Sequence, residues 1–159
     1  MPQAIYDANT EAAVQLAGAA AKTVIGVRAH ASLALMLKDV SMSFDGVSAT
    51  AVPVLIELMH ATFATNGPGT NSTSVTPQQR SGRTFGVGAT AARNWTAEPT
   101  TLTLRREWTL SPNGGTLFYP WPLGDEPDCG VNEGLVLRMT APATASGVNV
   151  RAGMGFCRL

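Results

Sequence analysis

The residues that could catalyse a reaction or bind a metal ion are few and widely spaced in this sequence. His30 and His60 are the only histidines, and they form neither an HxH nor an HxxxH pair. No serine lies in a GxSxG motif, so none is marked as a nucleophile. This spacing predicts a protein that is not an enzyme and that needs no metal or organic cofactor.

One acidic segment offers several oxygen ligands close together. Asp125, Glu126 and Asp128 could share a hydrated calcium ion, because hard cations prefer oxygen ligands. The spacing of an EF-hand is absent, and Pro127 and Gly130 are typical of a solvated loop. We therefore expect a plain loop over Leu123–Asn132 and no bound metal.

A glycine-rich segment and two cysteines complete the candidate chemistry. FGVGATA at 85–91 imitates a phosphate-binding GxGxxA motif, which requires a strand before it and a helix after it. Neither element is visible in the pattern, so we expect a loop. Cys129 and Cys157 form no CxxC motif, and two buried free thiols are expected, with a disulfide as the alternative.

Aromatic residues are the better candidates for binding a partner. Trp108 lies in an alternating apolar run and is expected in the core. Trp95 and Trp121 lie near predicted loops, where an exposed ring could contact a protein or stack on a sugar. Ile5 and Tyr6, in the N-terminal segment, are further candidate interface residues.

Composition limits the classes of function. Only 14% of the 159 residues are charged, and 11 Lys and Arg balance 11 Asp and Glu, which argues against a nucleic-acid partner. A surface low in charge favours contact with other protein. No apolar run approaches the ~18 residues of a membrane span. The segment Ala12–Ala21 follows Asp7 and Glu11 and not a basic region, so we expect no signal peptide and a soluble protein made in the cytoplasm.

The elements that position these residues are predicted as β-strands, because apolar and polar residues alternate with a period of two. About eight runs have this pattern: Lys22–His30, Leu33–Phe44, 52–59, Thr84–Ala89, Thr101–Leu110, Thr116–Trp121, 135–140 and 148–157. Asp45 and Gly46 predict a turn between two of them. Residues 22–159 are expected to form a single domain.

Two strands carry informative irregularities. In Leu33–Phe44 the apolar residues change from odd to even positions at Lys38 and Asp39, which predicts a β-bulge or a break between two short strands. In Thr101–Leu110 the residues expected to share one apolar face are Leu102, Leu104, Trp108 and Leu110. Arg106 interrupts that face, so we expect it at a sheet rim or in an ion pair.

The N-terminal segment, residues 1–21, is small, polar and weakly patterned. We predict an extended arm that contacts a neighbouring subunit, with a short helix as the alternative. The domain that follows is predicted to be all-β, a sandwich or a barrel, because short strands alternate with Gly and Pro turns. Composition does not separate a jelly roll from an immunoglobulin-like sandwich.

Several segments resemble small capsid-associated proteins of tailed bacteriophages. They are FDGVSATAVPVLIEL from Phe44, TAEPT at Thr96–Thr100, PLGDEP at Pro122–Pro127 and LRMTAPATASGVNVRAGMGF at Leu137–Phe156. The resemblance implies a jelly-roll β-sandwich of about eight antiparallel strands. It also implies a decoration, or cement, protein on the capsid exterior that bridges neighbouring major capsid subunits as a homo-oligomer, with a trimer favoured.

Two other functions remain as alternatives at this point. A carbohydrate-binding jelly-roll module displayed on the virion would use an exposed aromatic pair with neighbouring Asp or Asn. A metal-dependent cupin enzyme shares the architecture but gathers several histidines inside the barrel, and two isolated histidines do not supply that set.

Overall fold

The computed structural model describes residues 4–45, 52–81, 86–144 and 147–159, which form β-strands and no helix. It follows that none of the described residues belongs to a helix able to span a membrane. The turn predicted at Asp45 and Gly46 lies partly outside the described residues, which resume at residue 52. The first two residues of the strand predicted at Thr84–Ala89 also lie outside them, and the described residues 86–89 are not a strand.

The strands form two antiparallel sheets, which is consistent with a β-sandwich. The seven-stranded sheet contains β1 (Ile5–Asn9), β2 (Val14–Leu16), β4 (Leu35–Phe44), β7 (Gln78–Ser81), β10 (Thr116–Pro120), β11 (Asp128–Cys129) and β13 (Val148–Arg158). The six-stranded sheet contains β3 (Ala21–Arg28), β5 (Val54–Thr62), β6 (Thr73–Val75), β8 (Thr90–Arg93), β9 (Thr101–Leu110) and β12 (Gly134–Thr140). The all-β prediction is confirmed, with more and shorter strands than expected.

The order of the strands brings distant parts of the chain together. The seven-stranded sheet runs β10-β4-β13-β1-β7, with β11 paired to β4 and β2 paired to β13. The six-stranded sheet runs β6-β8-β3-β12-β5-β9. Strands β9 and β10 are therefore edge strands of different sheets.

One hydrophobic core contains residues from both sheets. Alternate residues of each strand point inward, so Leu37 and Phe156 from one sheet join Ile56 and Leu137 from the other. The face predicted for β13 is confirmed, because its inward residues are all buried: Val148, Val150, Ala152, Met154 and Phe156.

The bulge predicted in β4 is confirmed. In the pairing with β13, Phe156 lies opposite Leu37 while Gly155 lies opposite Asp39, so Lys38 is the extra residue. The extra residue moves the buried set from odd to even positions, as the sequence pattern indicated. The buried set is Leu35, Leu37, Val40, Met42 and Phe44.

A second bulge, in β9, overturns the predicted face of that strand. The pairing with β5 shifts by one residue at Arg105. Trp108 and Leu110 consequently face the core, whereas Leu102 and Leu104 face outward. The prediction that these four residues share one face is wrong, because an extra residue reverses every side chain beyond it.

The prediction of an N-terminal arm over residues 1–21 is also wrong for the residues of this segment that form β1 and β2. β1 lies between β13 and β7, and β2 pairs with β13. Their inward side chains belong to the main core: Tyr6, Ala8, Val14 and Leu16. Each strand holds only two such residues, so the alternation is too short to stand out in the sequence.

Candidate functional site

The four residues predicted as an interface lie in separate parts of the fold. Ile5 is half-buried in β1, whereas Tyr6 is 2% exposed and stacks on Phe156, with 5.9 Å between ring centroids. Trp95 follows β8 and is 1% exposed, and Trp121 follows β10 and is half-buried. The interface prediction is therefore wrong for Tyr6 and Trp95, whose rings are inside the protein, and it stays a prediction for Ile5 and Trp121.

Trp95 belongs to a second hydrophobic cluster, on the outer side of the six-stranded sheet. The cluster, which we call the covered face, consists of Met59, Ala61, Phe63, Ala92, Trp95 and Val136. The Trp95 Nε1–H donates to the Asn66 carbonyl oxygen at 3.0 Å. The Glu98 carboxylate accepts from the backbone N–H and the hydroxyl of Thr23, at 2.8 and 2.6 Å. These bonds fix the loops beside Trp95 onto the sheet.

The outer side of the seven-stranded sheet differs, because it presents small and polar side chains to solvent. Phe118 lies opposite Ser41, Ser41 opposite Gly153, and Gly153 opposite Asn9, which makes one row across four strands. We call this row, together with Arg151, the open face. A shallow groove of about 380 Å³ runs along it, and Phe118 is 62% exposed.

Next to the open face, Arg80 of β7 reaches across two strands. Its Nη1 donates to Asp39 Oδ2 at 2.6 Å, and its Nε donates to Asp7 Oδ2 at 2.8 Å. Hydrogen bonds from Arg80 to Asp39 and Asp7 raise the pKa of its guanidinium above the usual value. Gly155 lies between the acids, where a Cβ atom would come within 2.5 Å of Asp39 Oδ1. Arg80, Asp7 and Asp39 thus satisfy one another within the chain.

Aromatic rings close the end of the sandwich where β9 and β10 meet. The ring centroids of Trp108 and Tyr119 are 5.5 Å apart, and those of Tyr119 and Trp121 are 5.0 Å apart. The Arg106 guanidinium lies over Tyr119 at 4.4 Å and over Trp108 at 5.8 Å. Arg106 was predicted at a sheet rim or in an ion pair. It lies at the rim, on the edge strand β9, and its guanidinium stacks on aromatic rings. Trp108 is only partly buried, although it does pack against the main core.

A recess of about 280 Å³ lies beside this aromatic end, and we call it the edge recess. Its lining residues are Leu58, Arg105, Arg106, Trp121, Asp125, Pro127 and Asp128. Within the described part of the chain, the side chains of Asp125 and Asp128 make no hydrogen bond or ion pair. A larger groove, of about 780 Å³, lies beside β2 and is lined mainly by small side chains.

The sequence contained the components of the edge recess but not their proximity. The Arg105-Arg106 pair and the acidic loop were both visible. They lie on β9 and after β10, which belong to different sheets. Only the strand order of the two sheets places them side by side.

The acidic loop is held by an ion pair and does not gather metal ligands. Lys38 Nζ donates to Glu126 Oε1 at 2.9 Å, and the Gly124 N–H donates to Glu126 Oε2 at 2.5 Å. The bond from Lys38 lowers the pKa of Glu126. Among the described residues, no three His, Cys, Asp or Glu side chains come together in a way that could hold a metal ion.

The two histidines, His30 and His60, make separate polar contacts. His60 Nε2 is 3.0 Å from Glu133 Oε2, and His30 Nδ1 accepts the Ser32 N–H at 3.2 Å. The hydrogen bond from the Gly130 N–H lowers the pKa of Glu133, and the hydrogen bond to His60 lowers it further by a smaller amount. The glycine-rich segment continues from residues 86–89 into β8, a strand and not a helix, so it forms no phosphate-binding turn.

Both cysteines are buried free thiols, as predicted. Cys129 lies opposite Leu35 and Cys157 opposite Met36, so their side chains leave opposite faces of the seven-stranded sheet. Burial raises the pKa of Cys129 to about 12 and raises the pKa of Cys157 as well.

No family model, curated protein or solved structure matches this chain. The open face, the edge recess and the sequence motifs are therefore the observations from which function is inferred.

Proposed function

We propose that this chain is a structural virion protein of the jelly-roll class, which decorates and reinforces the outside of a phage capsid. It would be made in the host cytoplasm and would bridge neighbouring major capsid subunits as a homo-oligomer, with a trimer favoured. No catalytic step is assigned to it. The sequence motifs support this class, and the open face is the observation that carries the proposal.

The open face has the make-up of a protein-binding patch. Phe118 projects from a row whose other members, Ser41, Gly153 and Asn9, are small or polar. Exposed aromatic side chains that a partner can bury carry a large share of the energy in protein interfaces, and flat surroundings exclude water around them. Phe118 is therefore the expected anchor for a capsid subunit.

Charge on this side of the molecule supports attachment that depends little on salt. Arg80 is bound by Asp7 and Asp39, and the two charged residues that line the groove, Glu11 and Arg151, have opposite charges. Few ion pairs with a partner are then available for salt to screen.

Reinforcement would follow from many weak attachments acting together. A subunit that touches two capsid subunits binds the closed shell better than a shell that has begun to open, and this difference in binding stabilises the closed state. Multivalent contact turns weak single contacts into tight attachment.

The test is a DNA-release curve on phage particles that have been stripped of this chain and then decorated again. Decorated particles should release DNA at a higher temperature, and the difference should persist across an ionic-strength series. Phe118→Asp should abolish both the attachment and the difference. Val131→Asp is the matched control, since Val131 is 47% exposed and lies outside the groove. Equal release temperatures for stripped and decorated particles would contradict the proposal.

A further inference from the structure

We propose that the edge recess binds a neutral saccharide unit, a function that is independent of capsid attachment. The recess measures about 280 Å³, just below the range of about 300–1,000 Å³ that is usual for small-molecule sites. That volume suits a single sugar ring, and not a long chain buried along its length.

The charges that line the recess indicate an uncharged ligand. Arg105 and Arg106 oppose Asp125 and Asp128, so the formal charges cancel. The two carboxylates disfavour an anion, and the two guanidinium groups disfavour a cation. The recess therefore offers two carboxylates that accept hydrogen bonds and two guanidinium groups that donate them. Sugar hydroxyls both donate and accept hydrogen bonds, so they match this lining.

Trp121 supplies the apolar surface that the C–H face of a sugar ring requires. Its ring is half-buried and packs edge-on against Tyr119 and Trp108, at centroid distances of 5.0 and 6.4 Å. Arg106 is likewise held, over the Tyr119 ring at 4.4 Å. These groups are fixed before a ligand arrives, which reduces the entropy lost on binding.

The acidic wall is also preformed. The Leu37 N–H donates to the Pro127 carbonyl at 2.8 Å, and Asp128 pairs with Met36 in the sheet. The Lys38–Glu126 ion pair ties the loop to β4 at a third point. Asp125 and Asp128 are therefore carried on a fastened loop, with carboxylates that no other described group uses.

The edge recess and the groove of the open face share no lining residue. A saccharide could therefore be bound while the open face is attached to a capsid. The same separation allows the two functions to be tested with different variants of one chain.

The experiment exposes the purified full-length chain to an array of neutral and acidic glycans, followed by calorimetric titration of the saccharides that bind. We expect neutral saccharides to bind and acidic ones not to bind. The double variant Asp125→Asn/Asp128→Asn should weaken binding by about tenfold or more, because it removes two charged acceptors. Trp121→Ala should abolish binding, while its circular dichroism spectrum reports whether the fold is intact.

Phe118→Asp is the control that separates this site from capsid attachment, and it should bind saccharide as the unmodified chain does. The proposal is overturned if no neutral glycan binds or if acidic glycans alone bind. Full affinity in the Asp125→Asn/Asp128→Asn variant would also overturn it, since it would place the ligand elsewhere. None of these three results depends on whether the chain attaches to a capsid.

Discussion

The two outer faces of the sandwich meet solvent in opposite ways. On the six-stranded sheet, β5 and β12 carry apolar residues on both sides, so Met59 and Val136 need a cover, which Trp95 and neighbouring loop residues supply. On the seven-stranded sheet, β4 and β13 place serine, glycine and charged residues outward. Strands buried on both faces read as nearly continuous apolar runs, whereas half-buried strands alternate. The outer side of the six-stranded sheet is therefore covered, whereas the open face of the seven-stranded sheet meets solvent.

Each outer face has a glycine, Gly26 or Gly153, whose missing side chain leaves room for a neighbouring group. At Gly26 a Cβ atom would lie 2.5 Å from Val136 Cγ1 and 3.1 Å from the Trp95 ring, so glycine lets the cover approach the sheet. At Gly153 a Cβ atom would meet the side chains of Asn9 and Ser41, which lie across β13 from the neighbouring strands. One glycine admits a ring, and the other admits polar side chains.

The largest expected effect is the loss of the cover. Trp95→Ala should lower the free energy of unfolding by about 3–5 kcal/mol, as other large-to-small changes in buried sites do. Phe118→Ala, on the open face, should change it by less than about 0.5 kcal/mol. Urea denaturation of both variants measures the difference, and similar losses would mean that the two faces are not distinct.

A smaller change sharpens the contrast between the two glycines. Gly26→Ala should cost about 1–3 kcal/mol, because the added methyl group overpacks a closed cluster. Gly153→Ala should be nearly neutral, since Asn9 is exposed and its side chain has room to turn into solvent. Adding Val136→Ala to Gly26→Ala should recover part of the loss. Equal costs at the two glycines, measured by the same urea method, would refute this account.

Next in size is the ion network of the seven-stranded sheet. Arg80→Met should cost about 1–3 kcal/mol at neutral pH, because Asp7 and the buried Asp39 lose their common partner. Arg151→Met is the control, as Arg151 makes only a 3.3 Å bond to the Glu11 carbonyl among the described residues. The difference between the two variants should shrink in high salt. If it grows, the network is not electrostatic in origin.

The smallest expected effect concerns the thiols on the two sides of the seven-stranded sheet. The pKa of Cys129 is raised from 9.0 to about 12 in the folded chain, so its contribution to stability is complete below about pH 9 and is lost as the pH rises towards 12. Cys129→Ala should reduce this alkaline loss, measured from urea midpoints at neutral and alkaline pH. Iodoacetamide should label neither Cys157 nor Cys129 while the chain is folded at neutral pH, because both side chains are almost fully buried. Rapid labelling of either thiol in the folded chain would contradict this assignment.

Much of the fold could be predicted because a period of two is a direct record of which side chains face inward. The Lys38 bulge was visible as a change of phase, and the buried face of β13 was read correctly. The bulge at Arg105 was missed, although a charged residue at Arg106 in an apolar series was its signal.

Features that depend on pairing between distant strands could not be predicted. β1 was assigned to an arm because its role depends on β13, at the far end of the sequence. The covered face had a partial signal in Met59, Ala61 and Phe63, which continue an alternation on the second side of β5. The edge recess had none, because adjacency of β9 and β10 is a property of the two sheets and not of either strand.

The place of β13 in the sheet has a consequence for how the protein is made. β13 lies between β4 and β1 and also pairs with β2. Strands β1, β2 and β4 therefore lack β13 as a partner until residues 148–158 leave the ribosome. The strands of the six-stranded sheet are all synthesised earlier. At roughly 5–20 residues per second, the nascent chain carries an incomplete sheet for several seconds. Until β13 is made, the apolar side chains of β1 and β4 lack this neighbour, and exposed apolar surface and unpaired strand edges make such a chain prone to aggregation.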